Sequence, residues 1–322
     1  MALLDVENLK TYYYTLRGYV KAVDDVTFSV ESGKATGLAG ESGCGKTTVA
    51  SSILRVLSPG GRIVGGKILY KGLDIAKLDE DVMREKIRWK EISIVFQGAM
   101  NALNPVYKIS DQIVEAIRLH EPDVSRKDAY ERGQKLFELV GIDPSRIDNY
   151  PHEFSGGMRQ RAMIAMALAS NPSILIADEP ATALDVIVAA QVLKLLKTLK
   201  EKLNLGMILI THDLSIIAEL CEYCAIMYGG KIVEYGDVVT IFKSPMHPYT
   251  QGLISTFPSI NAKERMRMVS IPGSPPDLLN PPVGCRFHPR CKYALEICRK
   301  EEPKYLEVTK GHFVACHLAT KT

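Results

Sequence analysis

An α/β fold around a parallel sheet is the architecture this sequence predicts, and three stretches predict it. GLAGESGCGKTTVASSIL sets Gly40-x-x-x-x-Gly45-Lys46-Thr47 between a strand-like run, Lys34 to Ala39, and a helix-like stretch, Lys46 to Leu57. SILIADEP places four apolar residues, Ile174 to Ala177, directly before Asp178 and Glu179, as a buried parallel strand ending in acids would. From about residue 166 to 240, apolar runs alternate with helical patterns such as VIVAAQVLKLLKTLKEKL, which returns the chain to the parallel sheet.

Composition sets the outer bounds. A chain of 322 residues with 46% hydrophobic content buries a large core and is long enough for two domains. Its formal charge of +3 is too mild, and too dispersed, for a nucleic-acid partner, which calls for a concentrated basic stripe. MALLDVENLK carries acids where a secretory signal needs basic and apolar regions, and no apolar run approaches the roughly 18 residues of a spanning helix. The expectation is a cytosolic protein that does not cross a membrane by itself.

The glycine-rich stretch has the spacing of a phosphate-binding loop. Glycines let backbone N–H groups turn inward around an anion, the helix N-terminus adds its dipole, and Lys46 brings a cation to the outer phosphates. Gly40, Ser42, Gly43, Gly45, Lys46, Thr47 and Thr48 are therefore candidate nucleotide-binding residues, with the Thr47 hydroxyl a ligand for Mg²⁺. Asp178 and Glu179 stand where an open α/β sheet places its ligands, at a strand's C-terminal end. Asp178 is then a metal-side carboxylate, direct or through water, and Glu179 the group that polarises the attacking water. FSGGMRQRAMIAMALASNP supplies a second anion site, with Ser155 as helix cap and Gly156 and Gly157 exposing backbone donors. One chain does not readily fold both sites onto one nucleotide, so two subunits sandwiching it are expected.

With these residues in place, the first 240 or so resemble the ATP-binding cassette ATPases, a P-loop NTPase family. The family signature is Leu-Ser-Gly-Gly-Gln; here Ser155-Gly156-Gly157 is intact while Phe154 and Met158 depart from it. The resemblance implies ATP and Mg²⁺ as ligands, with Ser155 and Gly157 completing the site of the opposite subunit. It makes Gln97 in IVFQGAMNALNP the glutamine that contacts metal and attacking water, and the loop after it the contact with membrane partners. Asp185 in ATALD resembles the loop at the dimer interface, and His212 in ILITHDL the histidine that contacts the γ-phosphate. An adenine platform is expected upstream, in TYYYTLRGYVKAVDDVTF; Tyr13 matches the family's aromatic in position, while the neighbouring tyrosines pack or hydrogen-bond at a strand edge.

The implied organisation is a nucleotide-binding domain over 1–240, with an antiparallel β region around GGKILYKGLDI and a helical signature subdomain over about 100–165, then an extension over 241–322. SPMHPYTQGLIS and IPGSPPDLLNPPVGC concentrate proline, which breaks helix and central strand alike. His247-Pro248-Tyr249-Thr250, the cysteine-bearing tail and ALNP closely resemble the branch that drives dipeptide and oligopeptide importers. That branch implies two membrane permease subunits, a second ATPase subunit or another copy of this chain as dimer partner, a peptide-binding protein acting indirectly, and a place on the cytoplasmic face of the membrane. A soluble cassette ATPase of DNA repair or translation is the competing reading; it would bring a second cassette, a coiled-coil insertion or a basic face, and none is visible.

Cys285, Cys291, Cys298 and Cys316 close the chain. Among reduced cytosolic thiols a disulfide framework is not expected, which leaves metal or inert burial. Gaps of five, six and seventeen residues are longer than the paired spacing of about two to four that structural zinc favours. A [4Fe–4S] cluster accepts ligands from an irregular loop, and resemblance to cluster-binding members of the peptide-importer branch favours it; zinc and unliganded thiols stay open, with His288, His312 and His317 as substitute ligands. Cys221-x-x-Cys224 lies where a helix runs into a strand, with no redox fold around it, and reads as packing.

Overall fold

The structure is a computed structural model that describes residues 2–98, 102–256 and 271–319. Its strands, in chain order, are β1 (Ala2–Thr15), β2 (Gly18–Glu31), β3 (Ala35–Ala39), β4 (Gly61–Tyr70), β5 (Leu73–Asp74), β6 (Ile92–Val95), β7 (Ile174–Asp178), β8 (Gly206–Ile210), β9 (Tyr223–Tyr228), β10 (Lys231–Asp237), β11 (Leu306–Thr309) and β12 (His312–Val314). The chain divides into two compact units, one formed by residues 30–35 and 77–209, the other by 2–29, 36–76 and everything from Ile210 onward.

In the first unit the strand order is β8-β7-β6, and β6 runs parallel to β7 from Ile92 opposite Ile174 to Val95 opposite Ala177. Every residue of β7 and β8 is buried, as the unbroken apolar runs require of strands covered on both faces. The helix Ile109–His120 buries Ile109, Ile113, Val114 and Ile117, an i, i+4 stripe, and Arg126–Leu139 follows with Ser125 as its cap, accepting from the Asp128 N–H. The helix Val186–Leu203 coincides with the predicted stretch; Asp185 Oδ1 caps it by accepting from the Val188 N–H at 3.0 Å, and Asn204 ends it in the left-handed region. The loop expected to meet membrane partners passes through residues 99–101, which lie outside the described residues.

The second unit holds two sheets. One has the order β2-β1-β4-β5, with β1 and β4 antiparallel from Leu4 opposite Tyr70, as GGKILYKGLDI suggested. In the other the order is β11-β12-β10-β9-β3, and only the β3/β9 pair, Thr36 opposite Tyr223, is parallel. Here the sequence expectation of a parallel return needs correction: β9 and β10 form an antiparallel hairpin. Gly229 and Gly230 both take positive φ (56° and 84°) between the paired residues Tyr228 and Lys231, the geometry of a two-residue hairpin turn. The helix that opens at Lys46 closes at Leu54 rather than Leu57, because Arg55 turns left-handed (φ 55°) and returns its N–H to the Ser51 and Ser52 carbonyls. The proline-rich tail carries strands that its composition hid. β12 pairs with β10, Glu234 opposite Val314, and β11 pairs with β12, so the tail extends the sheet. Residues 257–270 of the expected extension lie outside the described residues, and among those described no helix is long and apolar enough to cross a membrane.

Candidate nucleotide site

The predicted nucleotide residues fall on both units. In the second, the phosphate loop leaves buried β3 and enters the helix Lys46–Leu54 at Gly45. Two loop positions admit only glycine: Gly40 (φ 148°) and Gly45 (φ 107°), where a Cβ would stand 2.2 Å from the Met227 and Ala22 carbonyl oxygens respectively. Lys46 is buried, and its ammonium donates to the Gly40 carbonyl at 2.7 Å and the Glu41 carbonyl at 3.1 Å, folded within the loop's own curve. Ser42, Gly43 and Thr47 are exposed along the same turn. Cys44 points inward beside Lys46, and burial raises its thiol pKa, so it is a packing residue rather than a nucleophile. His212 is exposed just ahead of the helix Leu214–Leu220, which Asp213 caps.

In the first unit β7 ends on Asp178, 1% exposed, and the next residue, Glu179, sits in the left-handed region (φ 47°), uncommon for a glutamate. Its side chain is half-buried. Glu179 Oε2 accepts from Gln97 Nε2 at 3.0 Å and from the Thr182 hydroxyl at 2.9 Å, so Gln97 and Glu179, predicted separately, meet. Thr182 was not singled out by the sequence; its place three residues after Glu179, within one turn, was the available signal.

The helix cap expected at the signature stretch is present. Ser155 caps the helix Gly156–Ala167, its hydroxyl accepting from the Met158 N–H at 3.3 Å, and it is exposed at the helix start. The departures from the family signature have physical roles. Phe154 is buried against Phe137, ring centroids 6.2 Å apart, with the Arg146 guanidinium 5.1 Å from its ring, and the same arginine reaches the Met158 sulfur. A larger apolar residue before Ser155 fills this pocket and leaves the cap unchanged.

Among the tyrosines, Tyr12 donates to Asp24 at 2.7 Å, and Tyr14 meets Tyr19 edge-on at 4.6 Å. Tyr13 lies opposite Gly61, so close that a Cβ there would be 2.7 Å from its ring.

The four tail cysteines gather in one region. The Cys285 N–H donates to the Cys298 carbonyl at 2.9 Å. Burial, reinforced by Cys298, Cys316 and Cys291, pushes the Cys285 thiol up to about 12, and burial likewise raises Cys291 and Cys316. Among the described residues no group of three or more His, Cys, Asp or Glu is placed to hold a metal ion. The substitute histidines are engaged elsewhere: His288 with the Cys285 carbonyl, His312 with Glu234 and His317 with the Glu301 carbonyl. Cys221 and Cys224 are buried, and burial holds Cys224 well above the ordinary thiol value, so this pair packs.

A glycine loop that closes on a lysine at a helix start, in a chain that sets a glutamate just past the end of a buried strand, fits the nucleoside-triphosphate hydrolases. Comparison with known proteins narrows the class. Residues 23–182 match the ABC transporter family and residues 233–298 the oligopeptide/dipeptide transporter C-terminal region. The dipeptide transport ATP-binding protein DppD of Caldanaerobacter subterraneus is 43% identical over 98% of this chain and 97% of its own length. The oligopeptide transport ATP-binding proteins OppD of Bacillus subtilis and Escherichia coli are each 44% identical, over 97% and 98% of this chain and 87% and 93% of theirs. In fold, the ATP-binding cassette MJ0796, solved as a dimer bound to ADP and Pi, aligns with 73% of this chain and 98% of its own at TM-score 0.64 and 24% identity. CbiO1 of Clostridium perfringens, part of the transporter complex cbiONQ, aligns with 76% and 91% at TM-score 0.64 and 26% identity. The chain belongs to the ABC transporter ATPases that carry the oligopeptide/dipeptide transporter C-terminal region, and it is an ATPase.

Proposed function

We propose that this chain hydrolyses ATP to power import of dipeptides or oligopeptides through separate membrane subunits. The observation that carries the catalytic half is the Glu179 carboxylate, set by an unusual backbone turn at the end of a buried strand and held by Gln97 and Thr182. In this reading Glu179 is the general base for in-line attack of water, and Lys46 leaves its loop carbonyls for the outer phosphates. Gly40, Ser42, Gly43, Gly45, Thr47 and Thr48 line the phosphates, His212 contacts the γ-phosphate, and Tyr13 stacks on adenine. Thr47 and Gln97, with Asp178 directly or through water, are the oxygen donors that would hold Mg²⁺, whose charge would offset that developing on the phosphates. Ser155, Gly157 and Asp185 serve the site of a dimer partner, a copy of this chain or a related ATPase, so that nucleotide closes the dimer and hydrolysis releases it.

The names of the relatives and the C-terminal region support peptide import; a place on the cytoplasmic face, two permease subunits and an indirect peptide-binding protein are proposed with it. The proposed division is into residues 1–240 and an extension over 241–322, the match to the C-terminal region starting a few residues earlier, at 233. Copurification from membranes should recover two integral membrane proteins with this chain, and deleting it should abolish uptake of a labelled dipeptide or oligopeptide. Unchanged uptake of both would sink the import reading and leave ATP hydrolysis standing.

The tail cysteines are assigned, as part of the same proposal, to a [4Fe–4S] cluster. The cysteines stand near one another, Cys298 and Cys316 acting electrostatically on both Cys285 and Cys291, and a cluster accepts ligands from an irregular loop of this kind. Ligation would draw these thiols down to thiolates, which burial alone opposes. Anaerobic purification should give a coloured protein with iron and acid-labile sulfide in equal amounts; a colourless, iron-free chain would remove the cluster.

A further inference from the structure

An acid stands inside the loop that must hold a polyanion. Glu41 directly follows Gly40, and unbalanced it would repel the phosphates that the loop exists to attract. The second unit balances it from its own C-terminal region. Arg290 bridges the carboxylate with both fork nitrogens, Nη1 to Oε2 at 2.6 Å and Nη2 to Oε1 at 2.9 Å, and its side chain is only 5% exposed. The rest of the guanidinium is equally fixed. Nε donates to the Pro272 carbonyl at 2.7 Å, Nη2 to the Ile271 carbonyl at 3.3 Å and Nη1 to the Tyr228 hydroxyl at 3.4 Å, so all of its donors have acceptors.

The backbone of the same residue is held as well. The Glu41 N–H donates to the Tyr249 hydroxyl at 3.0 Å, and its carbonyl accepts from Lys46, the phosphate-loop cation. Tyr249 is fully buried, packed on Tyr228 and Phe287 with centroids 4.6 and 5.3 Å away. Its position is set one turn earlier: His247 caps the helix Pro248–Ser255 by accepting from the Tyr249 N–H at 3.0 Å. Thus the His-Pro-Tyr stretch fixes Glu41 through its backbone, and Arg290 through its charge.

We propose that Arg290 is a positioning residue for the ATP site, which neutralises Glu41 while Tyr249 anchors it, so that the C-terminal region sets the affinity of the phosphate loop for ATP. The inference rests on the ATPase class and not on peptide import.

The test is equilibrium binding of ATP and ADP to the full-length chain for Arg290→Gln, Glu41→Gln and the double variant, with melting temperatures alongside. Arg290→Gln leaves an uncompensated carboxylate and should weaken ATP about tenfold, less for ADP with its smaller charge, and less again at about 1 M salt, where the Debye length is only about 3 Å. Glu41→Gln should tighten ATP about twofold, since it leaves Arg290 an uncompensated cation, and the double variant should recover to within about threefold of the parent. Arg290→Lys keeps the charge without the fork and should hold ATP within about threefold; it carries the test should Arg290→Gln fail to fold. A merely structural arginine would lower melting temperature with ATP affinity unchanged, or leave the double variant as weak as Arg290→Gln; either result overturns the proposal.

Discussion

Replacing Glu179 with glutamine should leave ATP bound and lower turnover by about 10²- to 10⁴-fold, the range that removing a general base costs. The substitution keeps the side chain's length and one oxygen that can accept from Thr182, whose hydroxyl now bonds Oε2 at 2.9 Å, while it removes the charge that draws a proton from water. Gln97 keeps one glutamine oxygen to donate to, and the phosphate-binding residues are untouched: Lys46 and the phosphate loop belong to the other unit and depend on β3, Ala22 and Met227 for their shape. The signature is therefore a separation of kcat from binding, read by phosphate release and by equilibrium binding of ATP on the same preparation. ATP should also hold the dimer together for longer, since the step that dissolves it is slowed. Turnover within about threefold of the parent would remove Glu179 as base; equal loss of turnover and of ATP affinity would make it a structural residue.

The phosphate loop, the acidic strand end and the capped signature helix were legible because each is local: a glycine spacing, an apolar run or a cap writes its geometry into fewer than about twenty residues. Gln97 and Glu179, 82 residues apart, could be paired only through resemblance, and the Thr182 contact needed the turn itself. The parallel expectation failed at β9 and β10 because two adjacent glycines read equally well as a loop or as a hairpin turn until their φ angles are known. The tail hid most. Proline frequency argued for an appended segment, yet Arg290 reaches Glu41 across 249 positions and His312 reaches Glu234 across 78. Contacts of that span leave no period in the sequence, and a glutamate in a strand reads as a surface residue until its burial is seen.

Glu234 is such a residue, and Glu234→Ala should cost about 3–5 kcal/mol of stability, the range for stripping one partner from a buried charged network. Its side chain is fully buried, Oε1 accepting from the Met246 N–H at 2.8 Å and from His312 Nε2 at 2.8 Å, and Oε2 from the His247 N–H at 3.0 Å. Alanine leaves two backbone donors and an imidazole without acceptors in a space that water does not reach, at a point where β10, β12 and the His-Pro-Tyr turn meet. Glu234→Gln, which retains one acceptor oxygen, should cost less than alanine. Acid should act on the same place. Burial holds His247 down at about 4, because its ring is enclosed and its Nδ1 must stay unprotonated to accept from the Tyr249 N–H. Native protein therefore binds fewer protons than unfolded chain between about pH 6.5 and pH 4. The stabilisation is complete above the unfolded value of about 6.5 and is lost as pH falls through this window, by about 1.4 kcal/mol per unit at most. Urea titrations of the full chain at pH 7.5 and 5, for the parent and for His247→Asn, which keeps a capping acceptor without a titrating ring, should show the parent losing more stability on acidification. Equal losses would mean that His247 is not the group responsible, and an alanine penalty at Glu234 below about 1 kcal/mol would mean that the buried carboxylate does not tie the tail to the sheet.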